Sequence, residues 1–247
     1  MKRAFLAAAL GLALVVARPA AAQSLVADLT EHFVAITAGF NGATVTLFGT
    51  TESEGDIVVV VRGPKRDTVV REKSHLAGIW LNARSVIFAG VPGYYATLSS
   101  RPIDDLLPAP RRQLNGIGVD VLRMQPVGAD PTTDVAAFRQ AMLSDLERSG
   151  LYTNRSGNIT FLGKHLFRTT LSFPASVPTG AYTVEVFLVR NGDVVTSETI
   201  PLGIEQTGFE AALNDISEAH ALIYAIVAVL VAAMAGWLGS LVFRSAR

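Results

Sequence analysis

The chain has 247 residues, half of them hydrophobic and 17% charged, with 21 basic and 21 acidic side chains and no cysteine. Five basic residues lie at the two ends (Lys2, Arg3, Arg18, Arg244 and Arg247), so residues 23–243 carry a formal charge of −5 and offer no electrostatic footprint for nucleic acid or anionic lipid. The absence of cysteine excludes thiol catalysis, thiolate metal sites and thioether haem attachment, and the fold must hold without disulfides.

Lys2 and Arg3 are followed by an uncharged, mostly apolar run from Ala4 to Ala17, a break at Arg18-Pro19, and the small residues Ala20-Ala21-Ala22. This order predicts a signal peptide over 1–22, removed ahead of Gln23. From Leu25 to Ser100 short runs rich in Val, Ile, Thr and aromatics alternate with Gly, Pro and Asn. The runs are Ala43–Phe48, Asp56–Arg62, Val69–Lys73, Ile79–Asn82, Val86–Ala89 and Tyr94–Leu98. Their spacing predicts a β-sandwich module over 23–103. Pro64 and Pro92 fall at run ends, where a missing amide donor does little harm.

Residues 104–124 mix prolines with apolar pairs and predict a loop with a short helix. Asp130-Pro131 offers a capping carboxylate and a first-turn proline. Val135, Phe138, Met142 and Leu146 then recur at helical spacing, with Gly150 as the stop. From Ile159 the β pattern returns. Leu166–Phe173 alternates, Pro178-Thr179-Gly180 turns, Tyr182–Val189 is the strongest strand, and Asn191-Gly192 is a hairpin dipeptide before Val194–Ile204. The expected fold is therefore mainly β: two immunoglobulin-like sandwiches, 23–103 and 104–206, the second including the helical segment.

Thr207 and Glu210 form a capping box that starts a juxtamembrane helix over 207–220, with Phe209, Leu213 and Ile216 on its apolar face. Ala221–Phe243 contains no charge, and at about 1.5 Å per residue it is long enough for a hydrocarbon core of about 30 Å. Tyr224 and Trp237 suit the headgroup zones. Arg244 and Arg247 place the tail, 244–247, in the cytoplasm and the β region in the periplasm. The expectation is a single-pass bacterial inner-membrane protein. Ala228, Ala232, Gly236 and Ser240 recur every four residues, and such a stripe packs against another helix, in a homodimer or a membrane-protein partner, unless it only reflects an alanine-rich chain.

Six segments carry a resemblance: FNGATVTLFGT (40–50), GDIVVVVRGP (55–64), REKSHLAGIWLN (71–82), VPGYYA (91–96), LFRTTLSFPASVPTGAYTVEVFLVRNG (166–192) and AGWLGSLVFR (235–244). The sequence resembles an uncharacterised alphaproteobacterial family of putative transmembrane proteins over essentially its whole mature length. The family has no assigned activity. Its genes often stand beside those of sulfite-exporter-like transporters, and the resemblance implies such a transporter as partner.

No nucleophile elbow, phosphate-binding loop, zincin helix or dinucleotide fingerprint is present, so no catalytic residue, metal ligand or cofactor is expected. His32, His75, His165 and His220 stand apart from one another. Asp104-Asp105 reads as a helix start, and Gly116-Ile117-Gly118 as a turn. The densest basic segment, Arg62, Lys65 and Arg66 with Arg71 and Lys73, is either a solvated turn or a site for a small oxyanion such as sulfite or sulfate. Trp80 is either a sandwich-core residue or, with Tyr94 and Tyr95, an interaction patch. Two functions are thus in view: a non-enzymatic periplasmic accessory protein of a membrane partner, and a periplasmic sensor or binding protein for a small anion.

Overall fold

The chain is described here by a computed structural model that covers residues 25–76, 79–128, 130, 132–207, 229, 230, 232–234 and 237. Thirteen strands are found among these residues: β1 Leu25–Leu29, β2 Phe33–Ile36, β3 Ala43–Thr51, β4 Asp56–Arg62, β5 Lys65–Leu76, β6 Ile79–Pro92, β7 Tyr95–Ser99, β8 Gln125–Val127, β9 Tyr152–Ser156, β10 Thr160–Leu162, β11 Leu166–Phe173, β12 Gly180–Arg190 and β13 Asp193–Gln206. Three helices join them: α1 Ile103–Leu106, α2 Ala109–Asn115 and α3 Val135–Arg148.

The strands form three sheets, in the orders β1-β3-β11-β10, β2-β13-β12-β4-β7-β9 and β5-β6-β8. The mainly β expectation holds. The division at 103/104 does not, because each of the two larger sheets takes strands from both halves. β3 pairs antiparallel with β11, and β4 with β12. The parallel pairs β2–β13 and β7–β9 also cross the boundary. The physical reason lies in β4, which is too apolar to stand at a module's edge. Ile57–Val61 of β4 has no solvent exposure, so both its faces and both its edges need cover.

The four-stranded sheet closes over one face of the six-stranded sheet. Its inward positions are Leu25, Ala27 and Leu29 on β1, Val45 and Leu47 on β3, and Phe167, Leu171 and Phe173 on β11. These join one continuous core with Ile57, Val59 and Val61 of β4. At one end the rings of Tyr94, Phe173 and Tyr182 meet with centroids 5.2–5.9 Å apart. The segment 103–118 covers the second face, where Leu107 and Ile117 are fully buried. Gly116, in the left-handed conformation (φ 64°), ends α2 there. The Asn191-Gly192 turn (φ 51° and 81°) joins β12 to β13 as the sequence predicts.

Two local expectations are revised. The runs 69–73, 79–82 and 86–89 belong to one long ribbon, β5 and β6, paired from Lys65–Pro92 to Leu76–Ile79 with irregularities at Arg66/Thr68 and Glu72/Lys73. The cap of α3 is Asp134, whose Oδ1 accepts from the amides of Ala136 (3.1 Å) and Ala137 (3.2 Å). Asp130 instead bonds the Thr132 amide and hydroxyl, both at 2.9 Å, in a turn four residues earlier. Phe138 and Met142 are the fully buried members of the helical stripe.

No helix among the described residues is long and apolar enough to cross a membrane. The expected span 221–243 falls mostly outside them, and its described members Val229, Leu230, Ala232–Met234 and Trp237 are helical. The signal peptide 1–22, residues 208–220 of the juxtamembrane helix, and Ala228, Gly236 and Ser240 of the stripe lie outside the described residues.

Candidate binding surfaces of the β domain

Arg62 ends β4, and its guanidinium is engaged within the fold. Its Nη1 is paired with the Glu185 carboxylate on the neighbouring strand β12. Its Nη2 donates to the carbonyls of Asn115 (3.2 Å) and Gly116 (2.9 Å) at the end of α2, where carbonyls have no helical partner. Burial lowers the Arg62 pKa, with the nearby Tyr95 acting in the opposite direction. The Tyr95 hydroxyl completes the cluster, donating to the Gly116 carbonyl (3.1 Å) and accepting from the Gly118 amide (2.7 Å). Together these contacts fasten the 103–118 segment to the sheet. Lys65 and Arg66, the other two residues of the expected anion site, are exposed and share no contact with this cluster.

The remaining sequence candidates are scattered. His32 Nε2 lies 2.9 Å from Asp28 Oδ1, both exposed, and the His165 carbonyl accepts from the Thr51 amide. Among the described residues no three His, Asp or Glu side chains gather as a metal site would require. Asp104 and Asp105 start α1, and Asp104 pairs with Arg112, which also binds Asp120 through both carboxylate oxygens. The Trp80 backbone pairs with His75 in the ribbon, and its side chain lies outside the described residues.

Sequence reasoning missed Glu185 and the tyrosine group. Tyr94, Tyr95, Tyr152 and Tyr182 are all buried, and each hydroxyl donates to a backbone carbonyl: Ser172, Gly116, Pro92 and Pro178 respectively. Burial raises all four phenol pKa values, that of Tyr94 to about 12. A phenol whose pKa is higher in the folded chain adds stability that is intact below the ordinary value of about 10, and this is lost as pH rises towards the folded value. Thermal unfolding should therefore show stability falling from about pH 10 upward, with Tyr94 contributing about 2–3 kcal/mol at full ionisation. Tyr94→Phe should flatten this slope. A midpoint unchanged between about pH 9 and pH 11.5 would contradict the burial.

Two surfaces with apolar lining stand out. A cleft of about 290 Å³ lies between the β5–β6 ribbon and α3. Val70, Ala137, Phe138 and Ala141 line it, together with Arg71, Glu72, Arg84 and Asp134. The second surface is the outer face of the four-stranded sheet. Val26, Thr50, Leu166 and Leu162 stand there in one cross-strand row, with Phe48 in the next. Val26 is 58% exposed and the other three apolar side chains 43–45%. A shallow recess of about 130 Å³ lies among Val26, Phe48, Thr50 and Leu166. Solvent-facing strand positions are ordinarily polar, so a row with three apolar side chains around Thr50 stands out on this face.

The sequence profile of the family described as "Putative transmembrane protein (Alph_Pro_TM)" matches residues 24–245. A search of the curated proteins finds no match.

Proposed function

The chain belongs to the family described as "Putative transmembrane protein (Alph_Pro_TM)", and from that premise we propose that it is an accessory protein of the bacterial inner membrane that docks a membrane-protein partner through its β domain. The signal peptide at 1–22 would bring the domain to the periplasm. The uncharged segment 221–243 would anchor it, and Arg244 and Arg247 would stay in the cytoplasm. The observation that carries the reading is the apolar row Val26, Leu162 and Leu166 with Phe48. These residues lie in sequentially distant segments that the fold brings to one solvent-facing patch. A transporter of the sulfite-exporter-like kind is the partner that the family resemblance suggests. Self-association through Ala228, Ala232, Gly236 and Ser240 is the competing arrangement.

The test is in-cell crosslinking of the full-length protein from a photoreactive residue at position 48. The expected result is a defined adduct with a polytopic membrane protein, lost when Leu166 is replaced by Asp. Replacement of exposed Glu205, on another sheet, should leave the adduct intact. Adducts only with a second copy would favour the homodimer, and no adduct at all would overturn the docking surface.

A further inference from the structure

The outer face of the four-stranded sheet changes character along its strands. Beyond the Phe48–Arg168 rung its outward positions are Thr46 and Thr44 on β3, opposite Thr170 and Ser172 on β11. β10 stops pairing at Thr160–Arg168, so among the described residues β11 has a strand on only one side from Thr169 to Phe173. The space along that edge is a groove of about 620 Å³. Arg155 of β9 and the Gly157-Asn158 turn line it where the chain crosses from the six-stranded sheet to β10. The Thr169 hydroxyl holds that turn, donating to the Asn158 carbonyl at 2.9 Å. A narrower recess shares Arg155, Thr170 and Ser172 with the groove and reaches Tyr94, whose hydroxyl bonds the Ser172 carbonyl.

Charge sets this groove apart. No carboxylate lines it. Among the described residues neither Arg155 nor Arg168 forms an ion pair or a side-chain hydrogen bond. Arg62, Arg101, Arg111, Arg112 and Arg148 each face an acid, and Arg71 and Arg84, which form no ion pair among the described residues, share their cleft with Glu72 and Asp134. Two unneutralised guanidinium groups in a hydroxyl-lined concavity make a local positive field on a domain of negative net charge.

We propose that the groove binds the oxyanion group of a small hydroxylated molecule, with Arg155 and Arg168 pairing the carboxylate or phosphate and the Thr and Ser hydroxyls bonding the rest. Guanidinium groups match the planar fork of a carboxylate and the oxygens of a phosphate, and form charge-assisted bonds with either. Hydroxyl side chains donate and accept, as a polyhydroxylated ligand requires. The groove's size falls in the range of small-molecule sites. Neutral sugars leave both cations unpaired and cations are repelled, so the site selects for negative charge. The groove adjoins the apolar row at the Phe48–Arg168 rung but is lined by other residues.

The experiment is calorimetric titration of the full-length protein in a neutral detergent at low ionic strength. The probes are glucuronate, inorganic phosphate and, as the uncharged control, glucose. Saturable binding of glucuronate or phosphate is expected, weakened about tenfold or more in Arg155→Gln/Arg168→Gln and unchanged in Arg66→Gln. Glucuronate binding alone would identify a hydroxylated carboxylate as the ligand class, and phosphate binding alone a phosphorylated one. Thr170→Asp keeps both arginines but puts a carboxylate between them and the ligand, and it should abolish binding without changing the unfolding temperature. Three results would overturn the proposal: no binding of either anion up to about 10 mM, glucose binding as tightly as glucuronate, or undiminished binding in both variants.

Discussion

Replacing Arg62 with methionine is expected to lower the stability of the β domain by about 2–4 kcal/mol. Methionine keeps most of the stem's packing but leaves the Glu185 carboxylate without its cation. It also strips the Asn115 and Gly116 carbonyls of their donor. The full cost of breaking a buried pair is discounted here because Arg62 and Glu185 remain 21% and 27% exposed. The double change Arg62→Met/Glu185→Leu should recover most of the loss, since two apolar groups no longer leave a charge unpaired. Thermal unfolding of the three variants decides the matter. A loss under about 0.5 kcal/mol for Arg62→Met would mean that the guanidinium is not engaged, and would return it to the anion-binding reading.

Phe167→Ala is expected to cost more, about 3–5 kcal/mol. The Phe167 ring is fully buried between the sheets and fills the space left by Gly49 on the paired strand β3. A Cβ added at Gly49 would lie 2.5 Å from the ring and 2.6 Å from the Val26 carbonyl oxygen, so no other residue fits at position 49 while the ring is in place. Truncating the ring opens a cavity that the two sheets cannot close without moving β1. Gly49→Ala should also destabilise, by about 1–3 kcal/mol. Adding it to Phe167→Ala should give no rescue, because the clash with the Val26 carbonyl persists. Denaturant unfolding would check both. Rescue by Gly49→Ala would show that the ring alone sets the requirement for glycine.

The central strands were legible because burial wrote itself into their residues. β4 is a continuous apolar run, β11 alternates strictly, and the β12–β13 turn carries its Asn-Gly. β9 (Tyr-Thr-Asn-Arg-Ser) and β8 (Gln-Pro-Val) were not legible. They are sheet edges with one neighbour each, and nothing forces apolar alternation on them. Strand existence also says nothing of strand partners. The division into two modules fails because β3 and β4 each find one neighbour more than a hundred residues away. The same distance hid the ion pair. Arg62 reads as part of a basic turn until β12 brings Glu185 beside it. Arg168 could have been noticed as an outward position of an alternating strand, but the hydroxyl groove around it draws on residues from 44 to 172.

The pairing of β2 with β13 and of β3 with β11 also governs how the chain can be made. If the chain is exported amino end first, as proposed, β1 to β7 emerge long before β11 to β13. During that interval β3 can pair with β1 and β4 with β7, but each keeps one open ladder whose native partner, β11 or β12, has yet to arrive. Contacts so distant along the chain close slowly, and unpaired strands are prone to join the wrong neighbour. The first hundred residues therefore do not make a free-standing unit, and a chain cut before β13 loses a central partner of β12 together with the strand that holds β2. If the chain is exported as proposed, the domain would reach its final form only once β13 has crossed.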